Sequence, residues 1–222
     1  MKKNVLLLML FAGMLLGGCS APATTEIKNT PEDFVNAEEI VTYLSEQNIV
    51  YTETGDNTGD ISEEKRIDTA ENGQNPYAVI VTCSDSRVPV EHVFNAGIGE
   101  LFVIRTAGNV IGDYELGSVE YGAEHLGAKL VVVLGHTGCG AVDAALHGGA
   151  HGNIEKITDE ISACLPENCD AREAEILNIQ NSIADIMESE MIHELVEAGK
   201  TQVVGAVYDI ESGKVVFLDA EK

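Results

Sequence analysis

The chain has 222 residues, 45% of them hydrophobic, with 37 acidic against 13 basic side chains and a formal net charge of −24 at pH 7. Such a charge excludes a surface built to bind nucleic acid, or to hold an anionic lipid face by charge alone. The length suits one α/β domain with a sizeable core, once a short N-terminal segment is set aside.

That segment opens with Lys2-Lys3, continues through the apolar stretch from Val5 to Leu16 and ends in Gly17-Gly18-Cys19-Ser20. A basic start, a short apolar middle and small residues at a cleavage point describe a secretory signal over residues 1–18. The apolar stretch is too short for a transmembrane span. Leu16-Gly17-Gly18-Cys19 resembles a bacterial lipobox, which implies that Cys19 becomes the lipid-modified first residue of the mature protein. Removing residues 1–18 takes Lys2 and Lys3 away and leaves a net charge of −26. Residues 19–31 are polar and Thr-rich and read as a tether, with the folded domain expected over 32–222. The expected location is extracytoplasmic, on a lipid anchor to a bacterial membrane.

Along the domain, Phe34, Val35, Ile40, Val41 and Leu44 fall at helical spacing and predict a helix from Glu32 to Gln47. A polar, turn-rich break follows from Thr54 to Asp60, then a short helix from Glu63 to Glu71, then the punctuation Gly73-Gln74-Asn75-Pro76. Strands are predicted at Tyr77–Thr82, Leu101–Ile104, Leu130–Leu134 and Gln202–Asp209. Between them lie helices at Tyr114–Leu126, Ala141–Leu146, Ile154–Cys164 and a long one from Ala171 to Ala198. Glu211-Ser212-Gly213 turns the chain into a last short strand, Lys214–Leu218. Near-continuous apolar strands separated by helices predict an α/β fold with a mostly parallel central sheet flanked by helices, and the final hairpin adds an antiparallel edge strand.

Two blocks carry chemistry. Cys83-Ser84-Asp85-Ser86-Arg87 follows the first strand, and His136-Thr137-Gly138-Cys139 follows the third. Both therefore fall at C-terminal strand ends, where open α/β sheets place their active sites. Thiolate and imidazole are zinc ligands, so Cys83, His136 and Cys139 offer three protein ligands and leave a fourth position open. His136 and Cys139 lie three residues apart on one Gly-rich turn, and a helix start at Cys139 would favour its thiolate. Asp85 falls within reach of the metal or its water, and the Arg87 guanidinium can hold that carboxylate at two points. Cys164 and Cys169 can close a small loop as a disulfide or stand as two free thiols.

Cys83-Ser-Asp-Ser-Arg-Val-Pro89, Gly99-Glu-Leu-Phe-Val-Ile-Arg105, Ala107-Gly-Asn109, Ser118-Val-Glu-Tyr121 and Gly135-His-Thr-Gly-Cys-Gly140 together resemble the β class of carbonic anhydrases. The resemblance implies one Zn2+ per subunit on Cys83, His136 and Cys139, with the Asp85–Arg87 dyad beside it and Asp85 as fourth ligand in a closed state only. It implies reversible hydration of carbon dioxide to bicarbonate and a proton. It also implies a homodimer or higher homo-oligomer with the active site near a subunit interface. Gln74 matches a substrate-contacting glutamine, and Phe102, Ala107 and Tyr121 match positions lining a small apolar pocket. Asn95-Ala96 stands where the family commonly has Asp-Gln, and the chain has no Trp, so it lacks the Trp-containing bicarbonate regulatory site of some bacterial members. His147 and His151 are candidates for carrying protons to solvent. Two other readings stay open: a hydrolase of carbonyl sulfide or carbon disulfide on the same site, and a non-catalytic zinc-binding lipoprotein. An intact Asp85–Arg87 dyad and Gln74 argue against the last, since metal binding alone needs neither.

Overall fold

The computed structural model describes residues 30–218. Cys19, the expected signal and most of the expected tether lie outside the described residues. In chain order a 3₁₀ turn at Pro31–Asp33 leads to α1 (Ala37–Thr54), α2 (Glu63–Asn72), β1 (Ala78–Cys83), α3 (Val90–Val93) and β2 (Leu101–Thr106). Then come α4 (Asp113–Glu120), β3 (Leu130–His136), α5 (Gly140–His147), α6 (Asn153–Ala163), α7 (Ala171–Met187), α8 (Glu190–Glu197), β4 (Gln202–Tyr208) and β5 (Val215–Phe217).

The sheet runs in the order β2-β1-β3-β4-β5. The first four strands are parallel and β5 pairs antiparallel to β4, as the strand pattern predicts. Every residue of β1 and β3 is buried, which places these two strands at the centre. Alternate side chains serve opposite faces. Ala78, Ile80, Leu130, Val132 and Leu134 pack with Phe34, Ile40, Leu44, Val90 and Phe94 from the α1 and α3 side. Val79, Val81, Val131 and Val133 pack with Val119, Ile179, Ile186 and Ile192 from the α4, α7 and α8 side. Each such aliphatic side chain contributes about 1.5–3 kcal/mol on full burial, so the two faces lock the strand register and the loops at its C-terminal edge.

Boundaries moved where a local cap outweighed apolar spacing. The predicted helix 32–47 starts later, because the Asn36 side chain accepts from Glu39 N–H and caps α1, and it runs on to Gly55 in the left-handed region. Thr30 and Pro31, at the end of the expected tether, already join the fold, with Pro31 buried. The long helix 171–198 is two helices: Ser189 caps α8 by accepting from Ile192 N–H, and its hydroxyl donates to Glu120 at 2.6 Å. The predicted helix to Leu126 widens into a π turn over Tyr121–His125, where Leu126 N–H reaches back to Tyr121 O. Asn95 is engaged within the chain, donating to Gln47 Oε1 at 2.8 Å and to Thr58 Oγ1 at 2.9 Å.

Candidate metal centre

β1 and β3 are adjacent and parallel, so their C-terminal ends bring Cys83 and His136 to the same edge of the sheet. Past His136 the chain turns through Gly138, whose φ of +65° lies in the left-handed region that favours glycine. Cys139 then caps α5. The ligand atoms of Cys83, His136 and Cys139 all lie within 4.8 Å of one another, and all three residues are buried.

His136 Nδ1 lies 3.0 Å from the Thr137 carbonyl. A carbonyl only accepts, so Nδ1 carries the proton and Nε2 presents its lone pair. Nε2 is buried and has no hydrogen-bond partner. An orphaned buried nitrogen facing two sulfurs is what a tetrahedral zinc site with two thiolates and one imidazole requires. The residues present therefore fit a zinc ion.

The sulfurs are prepared unequally. The Cys83 thiol is lowered to about 4, first by a hydrogen bond from Cys139, against burial, with help from the backbone N–H groups of Gly108 and Asp85. Gly108 N–H approaches Cys83 Sγ at 3.2 Å and Asp85 N–H at 3.4 Å. Cys139 is pushed up by its bond to Cys83 and by burial. The pair thus holds one proton, on Cys139. The His136 imidazole is raised: burial opposes its charge, but Cys83, the Thr137 carbonyl and Asp85 outweigh that.

Asp85 lies beside the cluster, its Oδ2 3.9 Å from His136 Nε2. Arg87 grips it through Nε to Oδ1 at 2.9 Å and Nη2 to Oδ2 at 2.7 Å, while Arg87 N–H donates to Oδ1 at 2.9 Å. The hydrogen bonds from the Arg87 side chain hold the Asp85 carboxyl well below the usual carboxylate range, against partial burial.

Arg105 was not singled out by the sequence. Its guanidinium binds the Cys83 carbonyl at 3.1 Å and the Asp85 carbonyl at 2.7 Å, bracing the loop that carries both. Its place at the end of β2, one register step before Thr106 opposite Cys83, is the signal that points to it. Glu175 and Asn178 of α7 were also missed. Glu175 accepts from Gly138 N–H at 2.6 Å, and Asn178 donates to Gly108 O at 2.7 Å.

The other expected site residues divide. Ala107 adjoins Gly108 at the cluster. Phe102 pairs with Val79 near the start of β1, roughly 13 Å of strand from Cys83, and packs tilted against Tyr121 with ring centroids 5.9 Å apart. Gln74 is exposed before β1, at the opposite end of that strand from Cys83. Within one protomer these three residues are not brought to the metal cluster. His147 is exposed on α5, 3.1 Å from Asp143. Cys164 and Cys169 are free thiols in this structure. A surface concavity of about 680 Å³ lined by Val35, Ala37, Lys129 and Thr201 lies at the N-terminal edge of the sheet, away from the cluster.

The family profile described as carbonic anhydrase matches residues 78–215, which is well over half of the chain. The chain belongs to the carbonic anhydrase family. It is 38% identical over 158 residues to carbonic anhydrase 2 of Mycobacterium tuberculosis, covering 66% of this chain and 76% of that one. Its fold is similar to the β-carbonic anhydrase CafA of Aspergillus fumigatus, with a TM-score of 0.63 at 25% identity over 83% of this chain and 91% of that one. The Coccomyxa β-carbonic anhydrase in complex with acetazolamide gives a TM-score of 0.61 at 25% identity, over 70% and 78% of the two chains. As a β-class carbonic anhydrase the chain is a zinc lyase that interconverts carbon dioxide and bicarbonate.

Proposed function

We propose that Cys83, His136 and Cys139 hold the catalytic zinc, and that Asp85 and Arg87 direct the hydration of carbon dioxide there. The observation that carries this is the buried, unpartnered His136 Nε2 facing two sulfurs with the Arg87-gripped Asp85 beside it. Zinc, when bound, acidifies water so that a hydroxide nucleophile is available near neutral pH. Asp85, which Arg87 holds ionised, would accept a hydrogen bond from the hydroxide that the ion supplies and so orient it toward carbon dioxide. Arg87 engages both Asp85 oxygens, and Asp85 stands outside the group of three residues that would hold the ion. Ala107, a small residue next to Gly108, is assigned to the substrate pocket on the resemblance to the family.

Gln74, Phe102 and Tyr121 serve the site of a second copy. The support is their separation from the cluster along β1 and β2, the partial exposure of Tyr121 at 45%, and the open sheet edge at β2. The protein is thus read as a homodimer or larger homo-oligomer. The N-terminal pattern supports a lipid anchor at Cys19 and an extracytoplasmic location. Loss of labelled fatty acid in Cys19→Ser would accord with the anchor, and full retention would refute it.

The catalytic reading is tested by Asp85→Asn. Stopped-flow hydration should fall about 100-fold while zinc content stays near one per chain. Near-normal turnover would remove Asp85 from the reaction.

A further inference from the structure

We propose that Glu175 is a positioning residue for the metal centre, acting on His136 through the Thr137–Gly138 peptide. The inference rests on the reading of His136 as a zinc ligand.

Glu175 sits on α7 and is only 6% exposed. A buried carboxylate is costly unless its oxygens are well used. One oxygen accepts from Gly138 N–H at 2.6 Å, and the other meets the half-exposed Arg172 at 3.4 Å. The N–H that Glu175 binds belongs to the same peptide unit as the Thr137 carbonyl, and that carbonyl lies 3.0 Å from His136 Nδ1. An acceptor at the N–H end of an amide polarises its C=O, so hydrogen bonds through one peptide reinforce each other. The sequence carboxylate, peptide, imidazole therefore holds the proton on Nδ1 and leaves Nε2 bare toward the sulfurs. Metal-bound histidines are commonly held by a carboxylate or a carbonyl at the other ring nitrogen. Here both are used in series, with a peptide between them.

The same contact has a second arm. The Gly138 carbonyl accepts from Arg87 Nη2 at 3.0 Å, so the residue that Glu175 pins is also a rest for the guanidinium that grips Asp85. One turn further along α7, Asn178 holds Gly108 O, and Gly108 N–H donates to Cys83 Sγ. α7 therefore braces both loops of the centre from one face.

The test compares the zinc-loaded, isotope-labelled full chain with Glu175→Gln, which keeps an acceptor but drops the charge, and Glu175→Met, which keeps the volume without an acceptor. Nuclear magnetic resonance reads the Gly138 amide proton and the His136 Nδ1 proton, and chelator competition reads zinc affinity. In Glu175→Gln both proton signals should move upfield together, with zinc affinity within about threefold of the parent. In Glu175→Met zinc affinity should fall about 10- to 100-fold. A shift of Gly138 with an unmoved His136 proton overturns the relay, as does a Glu175→Met protein that binds zinc within twofold of the parent. Should Glu175→Met fail to fold, the paired shift in Glu175→Gln decides alone. A parent chain that binds no zinc would defeat the zinc reading, while the coupled shifts would still report on the relay.

Discussion

Arg87 closes on Asp85 as a two-point fork, with Nε to Oδ1 at 2.9 Å and Nη2 to Oδ2 at 2.7 Å. The fork keeps the carboxylate charged and aimed, and it ties the first site block to the second through the Gly138 carbonyl. The geometry of the proposed site is in this way shared between two strand ends.

A lysine cannot reproduce a fork. Arg87→Lys should keep zinc near one per chain but lower kcat at least tenfold in stopped-flow hydration, since Asp85 would be held at one point only. Unchanged kcat would show that a positive charge suffices.

The unequal thiols give a spectral signature. Without metal, Cys83 should ionise near pH 4 while Cys139 keeps its proton. Thiolate absorbance near 240 nm, followed on metal-free protein, should show one site thiolate at pH 6, and Cys83→Ser should abolish it at that pH. Two thiolates there would contradict the shared proton.

Asp185 provides a stability test away from the site. Burial, then the charges of Glu160 and Glu188, raise its carboxyl to about 6. The folded value lies above the unfolded one, so this group's favourable contribution is complete below about pH 4 and is lost as pH rises through about 6. Asparagine is neutral throughout and can still accept from Asn181, which now donates to Asp185 at 3.2 Å. Asp185→Asn should therefore match the parent at pH 4 and exceed it at pH 8 by about 1 kcal/mol, a full two-unit effect being discounted for partial exposure. Urea denaturation at the two pH values measures this.

Much of this was legible because strands and ligands obey simple rules. The runs Tyr77–Thr82 and Leu130–Leu134 announce buried parallel strands, and Cys83 and His136 come one and two residues after them, as the last residues of β1 and β3. Asp85 and Arg87 were visible for the same reason, being two and four residues past Cys83. What sequence could not show depends on contacts far apart in the chain. Glu175 lies 37 residues from Gly138 and 39 from His136, and on its own reads as one acid among 37. Arg105 looks like a surface charge until β2 is set in register beside β1. Helix ends moved for local reasons: the Asn36 and Ser189 caps are single side chains that periodicity does not weigh. Gln74, Phe102 and Tyr121 do not reach the cluster within one protomer; the place proposed for them is the site of a second copy, and one sequence does not describe an interface.

Zinc removal and return on the full chain test the central claim most directly. Stopped-flow hydration of carbon dioxide should be present in the zinc-loaded protein, vanish on stripping by a chelator, and return when about one equivalent of zinc per chain is restored. A protein that binds zinc at Cys83, His136 and Cys139 yet leaves carbon dioxide hydration at the uncatalysed rate would contradict the account.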